Sequence, residues 1–423
     1  MKKKIVYILT WFPMFSESFV YNEVKHLLQE GCDISHVVAL HTQHDAVSYD
    51  LSFIKTVYPP PVLQQAACFI MHAVFHPVIV AQLIAYTFTI HRGDIFRLRR
   101  GYTSFLKVFL LLPLILWINK QLGCGEFHFH AHFTGVATSV AMLLAKLRKA
   151  SFSFTGHGSD VLEYCPKSLS YRINMSNFFI TVSEYNRRYI IDTYRDVQAN
   201  KIHVIPAVVD TEIFKNARRP VVSNTAVVNL VTVARLSPEK GHEVFLRALA
   251  RFSREHDDFC YTVIGDGELR SFLRALVNSL GIEEKVKFLG FCNRDTILKT
   301  LQNSHLFVLT SYREGLPVGL MEALAAGLPV FATRITAVPE IVEHEVNGIL
   351  VEAGDEESMF QGLQSLAAHN WKKLFELAHR AFNKDNYHFY AQNTIPMIRD
   401  LMISASEGSA VSAAAAAGER AES

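Results

Sequence analysis

Two carboxylates, Glu314 and Glu322, stand eight residues apart in the stretch Tyr312-Arg-Glu-Gly-Leu-Pro-Val-Gly-Leu-Met-Glu-Ala-Leu-Ala-Ala-Gly-Leu-Pro-Val330. Pro317 suits the first position of a short helix, where a missing N–H costs nothing, and Gly327 followed by Pro329 suits its end. The amide groups of Gly319 and Leu320 are then expected to face outward at the positive end of that helix, a ready site for an anion. Glu314 and Gly315 lie on the approach loop, and Glu322 lies about one turn inside. One carboxylate on either side of an anion site suits a sugar–diphosphate–nucleoside, with one Glu on the sugar hydroxyls and the other on the ribose. A pair at this spacing also arises by chance in helical proteins. The Gly-Leu-Pro-x-Gly spacer and the Ala-x-Gly-x-Pro-Val exit are what favour the binding role here.

Cleavage of a nucleotide sugar leaves a diphosphate with growing negative charge, which something cationic must stabilise. An Asp-x-Asp pair placed after a strand would hold Mg²⁺ for this purpose, and this chain has none. A strand expected over 227–233 instead runs into Ala234-Arg-Leu-Ser-Pro-Glu-Lys-Gly241, so Arg235 and Lys240 can supply the charge beside the helix end at Gly319. The bland alternative is two solvated loop cations. Gly265-Asp-Gly-Glu268 ends the next strand and lets backbone approach a ligand closely, or is simply a tight turn; it lacks the third glycine of the dinucleotide fingerprint.

The first half of the chain contributes histidines. Phe127-His-Phe-His-Ala-His-Phe133 alternates, so His128, His130 and His132 share one strand face. Metal ligation lacks a fourth ligand nearby, and His132 reads either as a polar group in an acceptor region or as a hydrogen-bonded core histidine. In Ser153-Phe-Thr-Gly-His-Gly-Ser-Asp160 a strand ends, and flanking glycines let the His157 ring and backbone approach a substrate. Asp160 either joins that site or caps the next helix.

These motifs together resemble the retaining glycosyltransferases of family 4, which have the GT-B fold, over roughly residues 4–400. The resemblance implies an α/β enzyme of two Rossmann-like doubly wound domains facing a central cleft. It implies that Arg235 and Lys240 contact the donor phosphates, Glu314 the donor hydroxyls, Glu322 the ribose and His157 the sugar, and that the loops at Gly265 and 290–294 border the base. The implied chemistry is transfer of a hexose with retention. The departing diphosphate itself takes the acceptor's proton, and neither metal nor cofactor takes part. Near the N-terminus, Phe12-Pro-Met-Phe-Ser-Glu-Ser-Phe-Val-Tyr-Asn-Glu23 replaces the Gly-Gly pair of many family members. With His-Ala-His-Phe and Ser-Phe-Thr-x-His, that string is similar to bacterial transferases that build extracellular polysaccharides such as colanic acid. Ser16, Glu17 and Asn22 become acceptor-site candidates, although Ser16 and Glu17 also sit where a helix cap belongs. The implied acceptor is a saccharide carried on a polyprenyl diphosphate. The rival readings are an epimerase-like or a non-catalytic nucleotide-sugar-binding protein of the same fold.

These residues need a scaffold that the rest of the chain should supply. A chain of 423 residues, half of them apolar, suggests two domains. Continuous apolar runs at 4–10, 34–40, 126–133, 151–155, 178–182 and 202–205 read as buried parallel strands, separated by helical patterns such as 18–30, 136–147 and 184–194. A second alternating set has strands at 227–233, 260–264, 286–289, 306–310 and 329–332. The expected organisation is a first domain over 1–208, a linker over 209–225 and a second domain over 226–386. A helix over 387–403 returns to the first domain, and 404–423 forms a disordered Ala/Ser/Gly tail.

The net charge of +2 excludes a general polyanion binder, nucleic acid included. Six scattered cysteines read as buried thiols of a reducing compartment, without disulfide or zinc spacing. The Met-Lys-Lys-Lys start imitates a signal peptide, but its apolar run is short and no cleavage site follows, so a cytoplasmic location is expected. Residues 66–118 combine apolar runs with His91-Arg-Gly-Asp-Ile-Phe-Arg-Leu-Arg-Arg100. They are either buried helices or an interfacial surface on the inner face of the cytoplasmic membrane. In the second case Arg92, Arg97, Arg99, Arg100 and Lys107 meet anionic lipid, and Phe109, Leu112 and Trp117 enter the head-group layer.

Overall fold

The computed structural model describes residues 3–14, 17–41, 49–90, 111–163, 165–210, 213–214, 227–383 and 387–407, with backbone alone at 369–370 and 382–383. Strands β1 (Lys4–Leu9), β2 (Ile34–Ala39), β3 (Thr56–Val57), β4 (Phe127–His132), β5 (Ser151–Gly156), β6 (Phe179–Thr181) and β7 (Ile202–Val204) form one sheet in the order β3-β2-β1-β4-β5-β6-β7. Strands β8 (Val228–Val233), β9 (Phe259–Ile264), β10 (Val286–Gly290), β11 (Leu306–Leu309), β12 (Val330–Thr333) and β13 (Gly348–Val351) form a second, in the order β10-β9-β8-β11-β12-β13. Neighbouring strands are parallel throughout, as in β1 with β4 and β8 with β11. Burial of both sheet faces is why the strands read as unbroken apolar runs: Ile5 to Leu9 and Phe307 to Leu309 are all buried.

Both sheets change direction of winding beside their first strand, between β1 and β4 and again between β8 and β11. In such sheets the crevice outside the carboxyl ends at the reversal is where ligands bind. Loops leaving β1, β4, β8 and β11 therefore stand at the two reversals.

The chain divides into two compact units. The second spans Val209–Tyr390, and the first combines the chain up to Val208 with the segment from Ala391 onward. Helix Ala391–Glu407 packs in the first unit against β1, β4 and β5 and against helix Ser18–Gln29. It runs beyond the expected end at 403, and Ala405 and Ser406 are buried, so the tail does not begin at 404. Small side chains there let the helix press on β5, where the Ser151 hydroxyl donates to the Ala405 carbonyl at 3.5 Å. Within the expected linker, Val209 bridges to Tyr390, and both Val209 and Phe214 are buried; residues 215–226 lie outside the described residues. Strands β3 and β13 are additions to the sequence reading.

The apolar insert separates into two kinds of helix. Helix Leu112–Gln121 is core: Leu112, Leu114, Ile115, Leu116 and Ile118 are at most 2% exposed, and Trp117 packs against the same cluster. Leu112 and Trp117 therefore do not reach a head-group layer. Helices Val62–Phe75 and Pro77–Ile90, bent by 112° at their junction, instead expose Leu63, Ile70, Val74, Phe75 and Val78, each over 60%. Among the described residues no single helix is long and apolar enough to cross a membrane. Arg92, Arg97, Arg99, Arg100, Lys107 and Phe109 lie outside the described residues. None of the six cysteines forms a disulfide, but only Cys32 and Cys68 are buried and Cys124 is exposed, so burial does not account for all of them.

Candidate active site

In the second unit, helix Val318–Ala325 follows β11 at the winding reversal. Pro317 is its N-cap residue and not its first residue, and the Leu320 N–H donates to the Pro317 carbonyl at 3.1 Å. Leu320 therefore does not offer a free amide, contrary to the sequence expectation; the first turn tightens and engages it. Gly319 lies against the end of β8, where an added Cβ would sit 3.1 Å from the Val233 carbonyl oxygen. The helix start and the exit of β8 are thus packed together at the reversal.

Lys240 and Glu314 meet there. Lys240 Nζ donates to Glu314 Oε1 at 2.6 Å, and the Ser311 hydroxyl donates to the same oxygen at 2.6 Å. The two side chains are only 17% and 11% exposed. Adjacency of β8 and β11 produces the contact: Lys240 stands on the loop after β8, Ser311 and Glu314 on the loop after β11. The Thr336 hydroxyl holds the Glu314 carbonyl at 2.6 Å, and the Tyr312 N–H donates to the Glu239 carbonyl at 2.8 Å. Arg235 is a different case. Its side chain is 71% exposed and pairs with Glu239 at 3.4 Å, while its carbonyl accepts from buried His242 and from the Ser237 N–H, both at 3.1 Å. Gly315 follows Glu314 in the same loop.

Glu322 is partly buried one turn into the helix, and loss of hydration pushes its carboxyl pKa up to about 7, with Arg294 pulling the other way. Among the described residues no hydrogen bond reaches its side-chain oxygens. Gly265 is required by packing: at φ +138° an added Cβ would fall 1.9 Å from the Ala234 carbonyl oxygen, so the exits of β8 and β9 touch only because no side chain intervenes.

In the first unit, His128, His130 and His132 are fully buried on one face of β4. His128 is bonded to Ser151 and Ser153, and His130 to Ser153 at 2.8 Å and Thr155 at 3.2 Å. His132 Nε2 lies 3.2 Å from Glu23 Oε1, and its Nδ1 lies 2.8 Å from His157 Nε2. His132 is thus a hydrogen-bonded core residue with no free nitrogen. Atoms of Glu23, His130 and His132 lie within 4.8 Å of one another, close enough to share a cation. Every one of those ring nitrogens already has a protein partner, so these residues fit a hydrogen-bonded set better than a metal centre. Burial drives the pKa of His157 well below its usual value, with His132 adding to the effect. The His157 ring lies against Phe19 and Phe133, with centroids at 4.6 and 4.8 Å.

Asp160 ties two loops together. Its Oδ1 accepts the N–H groups of His157 and Gly158 at 3.0 and 2.8 Å, and its Oδ2 accepts that of Thr134 at 2.9 Å. The loop after β4 is thereby fixed to the one after β5, which sets the His157 backbone. Glu17 is partly buried, and its carboxyl is pushed up to about 7 by loss of hydration, which His132 opposes and Asp160 reinforces. Asn22 is buried, its carbonyl bonded to His26 Nδ1 at 2.8 Å. Ser16 lies outside the described residues. Tyr7, Glu23 and Ser311 were not singled out as site residues from sequence; Glu23 had a signal as the last letter of the N-terminal string, and Arg294 was included only as the end of the 290–294 loop expected beside the base.

The sequence profile described as "Glycosyltransferase Family 4" matches residues 16–213, and that described as "Glycosyl transferases group 1" matches residues 214–390. The chain is 28% identical over 382 residues to the amylovoran biosynthesis glycosyltransferase AmsK of Erwinia amylovora, covering 84% of this chain and 88% of that one. It is 24% identical over 404 residues to WcaL of Salmonella typhimurium, named for colanic acid biosynthesis, covering 90% and 95%. Among solved structures, Anabaena Alr3699/HepE in complex with UDP superposes with a TM-score of 0.67 at 18% identity, covering 95% of this chain and all of that one. Two parallel Rossmann-like sheets, paired motifs at their winding reversals and these matches agree: the chain belongs to the family 4 glycosyltransferases and has the GT-B fold.

Proposed function

We propose that this glycosyltransferase moves a hexose, with retention at the anomeric carbon, from a nucleoside diphosphate sugar to a saccharide acceptor during assembly of an extracellular polysaccharide. The observation that carries the reading is the Lys240–Glu314 pair at 2.6 Å beside the start of helix Val318–Ala325. A cation and a carboxylate held together at a ligand crevice match the junction between a diphosphate and a sugar: Lys240 turns to the phosphate, Glu314 to the sugar hydroxyls. Arg235, with its exposed side chain, adds a second charge without a metal ion. Glu322 takes the ribose, the Gly265 loop borders the base, and His157 meets the sugar.

The acceptor is carried on a polyprenyl diphosphate. What supports this is the exposed apolar surface of helices Val62–Phe75 and Pro77–Ile90, followed in sequence by four arginines within 92–100. Such a surface supports a working position at the cytoplasmic face of a membrane, where a lipid-linked acceptor would be met. The names of AmsK and WcaL, which refer to amylovoran and colanic acid, support a polysaccharide product.

The decisive measurement is nucleotide release from a panel of nucleotide sugars, with and without saccharide acceptors. Release that requires an acceptor, and is abolished by Glu314→Gln, supports transfer. Sugar isomerisation without acceptor, or binding without turnover across a comprehensive panel, refutes it.

A further inference from the structure

A buried chain of hydrogen bonds runs from the core of the first unit to His157. The Tyr7 hydroxyl donates to Glu23 Oε1 at 2.7 Å, that oxygen lies 3.2 Å from His132 Nε2, and His132 Nδ1 lies 2.8 Å from His157 Nε2. Tyr7, Glu23 and His132 are all under 10% exposed. The strands and helix they stand on dictate the arrangement. Tyr7 lies on β1, His132 on neighbouring β4, and Glu23 on the helix Ser18–Gln29 that follows β1. The rings of His132 and His157 lie 14° from parallel with centroids 5.1 Å apart, and Tyr7 stacks on His132 at 5.8 Å. No part of the proposed transfer chemistry uses Tyr7, Glu23 or His132.

The direction of each bond follows from which atom can donate. Burial and the adjacent Glu23 carboxylate raise the Tyr7 pKa well above its usual value, so Tyr7 keeps its proton and donates it. A carboxylate oxygen only accepts, so His132 must carry its proton on Nε2. Where His132 holds that one proton, its Nδ1 is a lone pair that can only accept, and His157 then carries its own proton on Nε2. His157 is neutral, and its Nδ1 is left as a lone pair; among the described residues no hydrogen bond reaches that atom.

We propose that Glu23 and His132 are positioning residues that lock His157 in the Nε2–H tautomer, so that its Nδ1 faces the ligand as a hydrogen-bond acceptor. This rests on the reading that His157 meets the donor sugar. An acceptor nitrogen there fits a sugar hydroxyl and opposes a carboxylate, which assigns neutral hexoses rather than hexuronates to that contact.

The test uses the full chain labelled with ¹⁵N-histidine, with long-range ¹H–¹⁵N correlation of the imidazole rings and His157→Gln to identify the His157 signals. The wild type should show His157 protonated on Nε2 from pH 6 to 8. Glu23→Leu removes the acceptor, so His132 is free to protonate Nδ1, and the His157 pattern should invert to Nδ1–H. Glu23→Gln keeps a carbonyl oxygen and should retain the wild-type pattern. If Glu23→Leu does not fold, His132→Phe keeps a ring but removes the acceptor nitrogen, and His157 should then populate both tautomers. A wild-type His157 protonated on Nδ1, or a pattern unmoved by Glu23→Leu or His132→Phe, overturns the lock. In turnover, Glu23→Leu should lower kcat/KM for a nucleotide hexose by roughly tenfold to a hundredfold, the scale of one hydrogen bond replaced by two opposed donors, with Glu23→Gln near wild type. If the spectra behave as stated but His157→Gln leaves turnover intact, the lock stands and the assignment of His157 to the sugar is what fails.

Discussion

On the proposed assignment of Glu322 to the ribose, donor affinity should fall as pH is lowered through 7, because only a carboxylate accepts both hydroxyls. Burial pushes its pKa up to about 7, against the pull of Arg294. With that pKa the group is about nine-tenths ionised at pH 8 and about one-tenth at pH 6, so Kd should rise about tenfold, or about 1.4 kcal/mol. A nucleotide sugar is a diphosphate diester whose oxygens stay ionised over this range, so the slope belongs to the protein. Calorimetric titration at pH 6, 7 and 8 measures it. Glu322→Gln should cost about 1.5–3 kcal/mol of affinity at pH 8 and flatten the pH dependence. The same residue links pH to stability with the opposite benefit. A raised folded-state pKa means that the contribution is present below the usual glutamate value of 4.5 and lost as pH rises through about 7, a difference of about 3 kcal/mol. Glu322→Gln should therefore stabilise the free protein at pH 8 and leave it unchanged near pH 4. A Kd that is equal at pH 6 and pH 8 in the wild type would remove Glu322 from the ribose site.

Three further outcomes are expected. Turnover should persist in excess EDTA; complete loss restored by Mg²⁺ or Mn²⁺ would defeat the assignment of the phosphates to Arg235 and Lys240. Lys240→Met strands the Glu314 carboxylate, so thermal unfolding should show a loss of roughly 3 kcal/mol, recovered by adding Glu314→Gln while turnover stays absent. In flotation with anionic vesicles the wild type should bind, with each arginine adding about 1 kcal/mol, and Arg97, Arg99 and Arg100 changed together to Glu should release it without altering nucleotide affinity; wild-type protein that ignores such vesicles at low salt would refute the membrane surface.

Most strands were readable because a parallel strand buried on both faces leaves an uninterrupted apolar run, as in Lys4–Leu9 and Val228–Val233. The two-residue β3 is too short to leave any run, and β13 begins on a glycine. Glu314 and Glu322 were readable because Pro317 and Gly327 bracket the helix that carries Glu322 and that Glu314 precedes. Their environments were not. The Lys240–Glu314 bond joins residues 74 apart and exists only because β8 and β11 are neighbours, a fact of strand order and not of local pattern. His132 was left between two roles for the same reason, since its partner Glu23 is 109 residues away. Hydropathy found the insert helices but not which of them face water: Val62–Phe75 and Leu112–Gln121 are both apolar, and only tertiary packing separates the exposed from the buried.

The return of helix Ala391–Glu407 to the first unit has a consequence for how the molecule is made. Ribosomes extend a chain at roughly 5–20 residues per second, so the interval between Val208 and Glu407 lasts roughly 10–40 s. During that interval the first unit emerges from the ribosome while the helix that packs on β1, β4 and β5 does not yet exist. The second unit, continuous in the chain, has all its strands before the first receives Ile395, Ile398 and Met402 into its core and Arg399 against Glu30 at 2.8 Å. The unit synthesised first is therefore the last to be completed. A nascent chain stopped after Tyr390 would carry a whole second unit and an unfinished first, with the surface that helix normally covers left to chaperones.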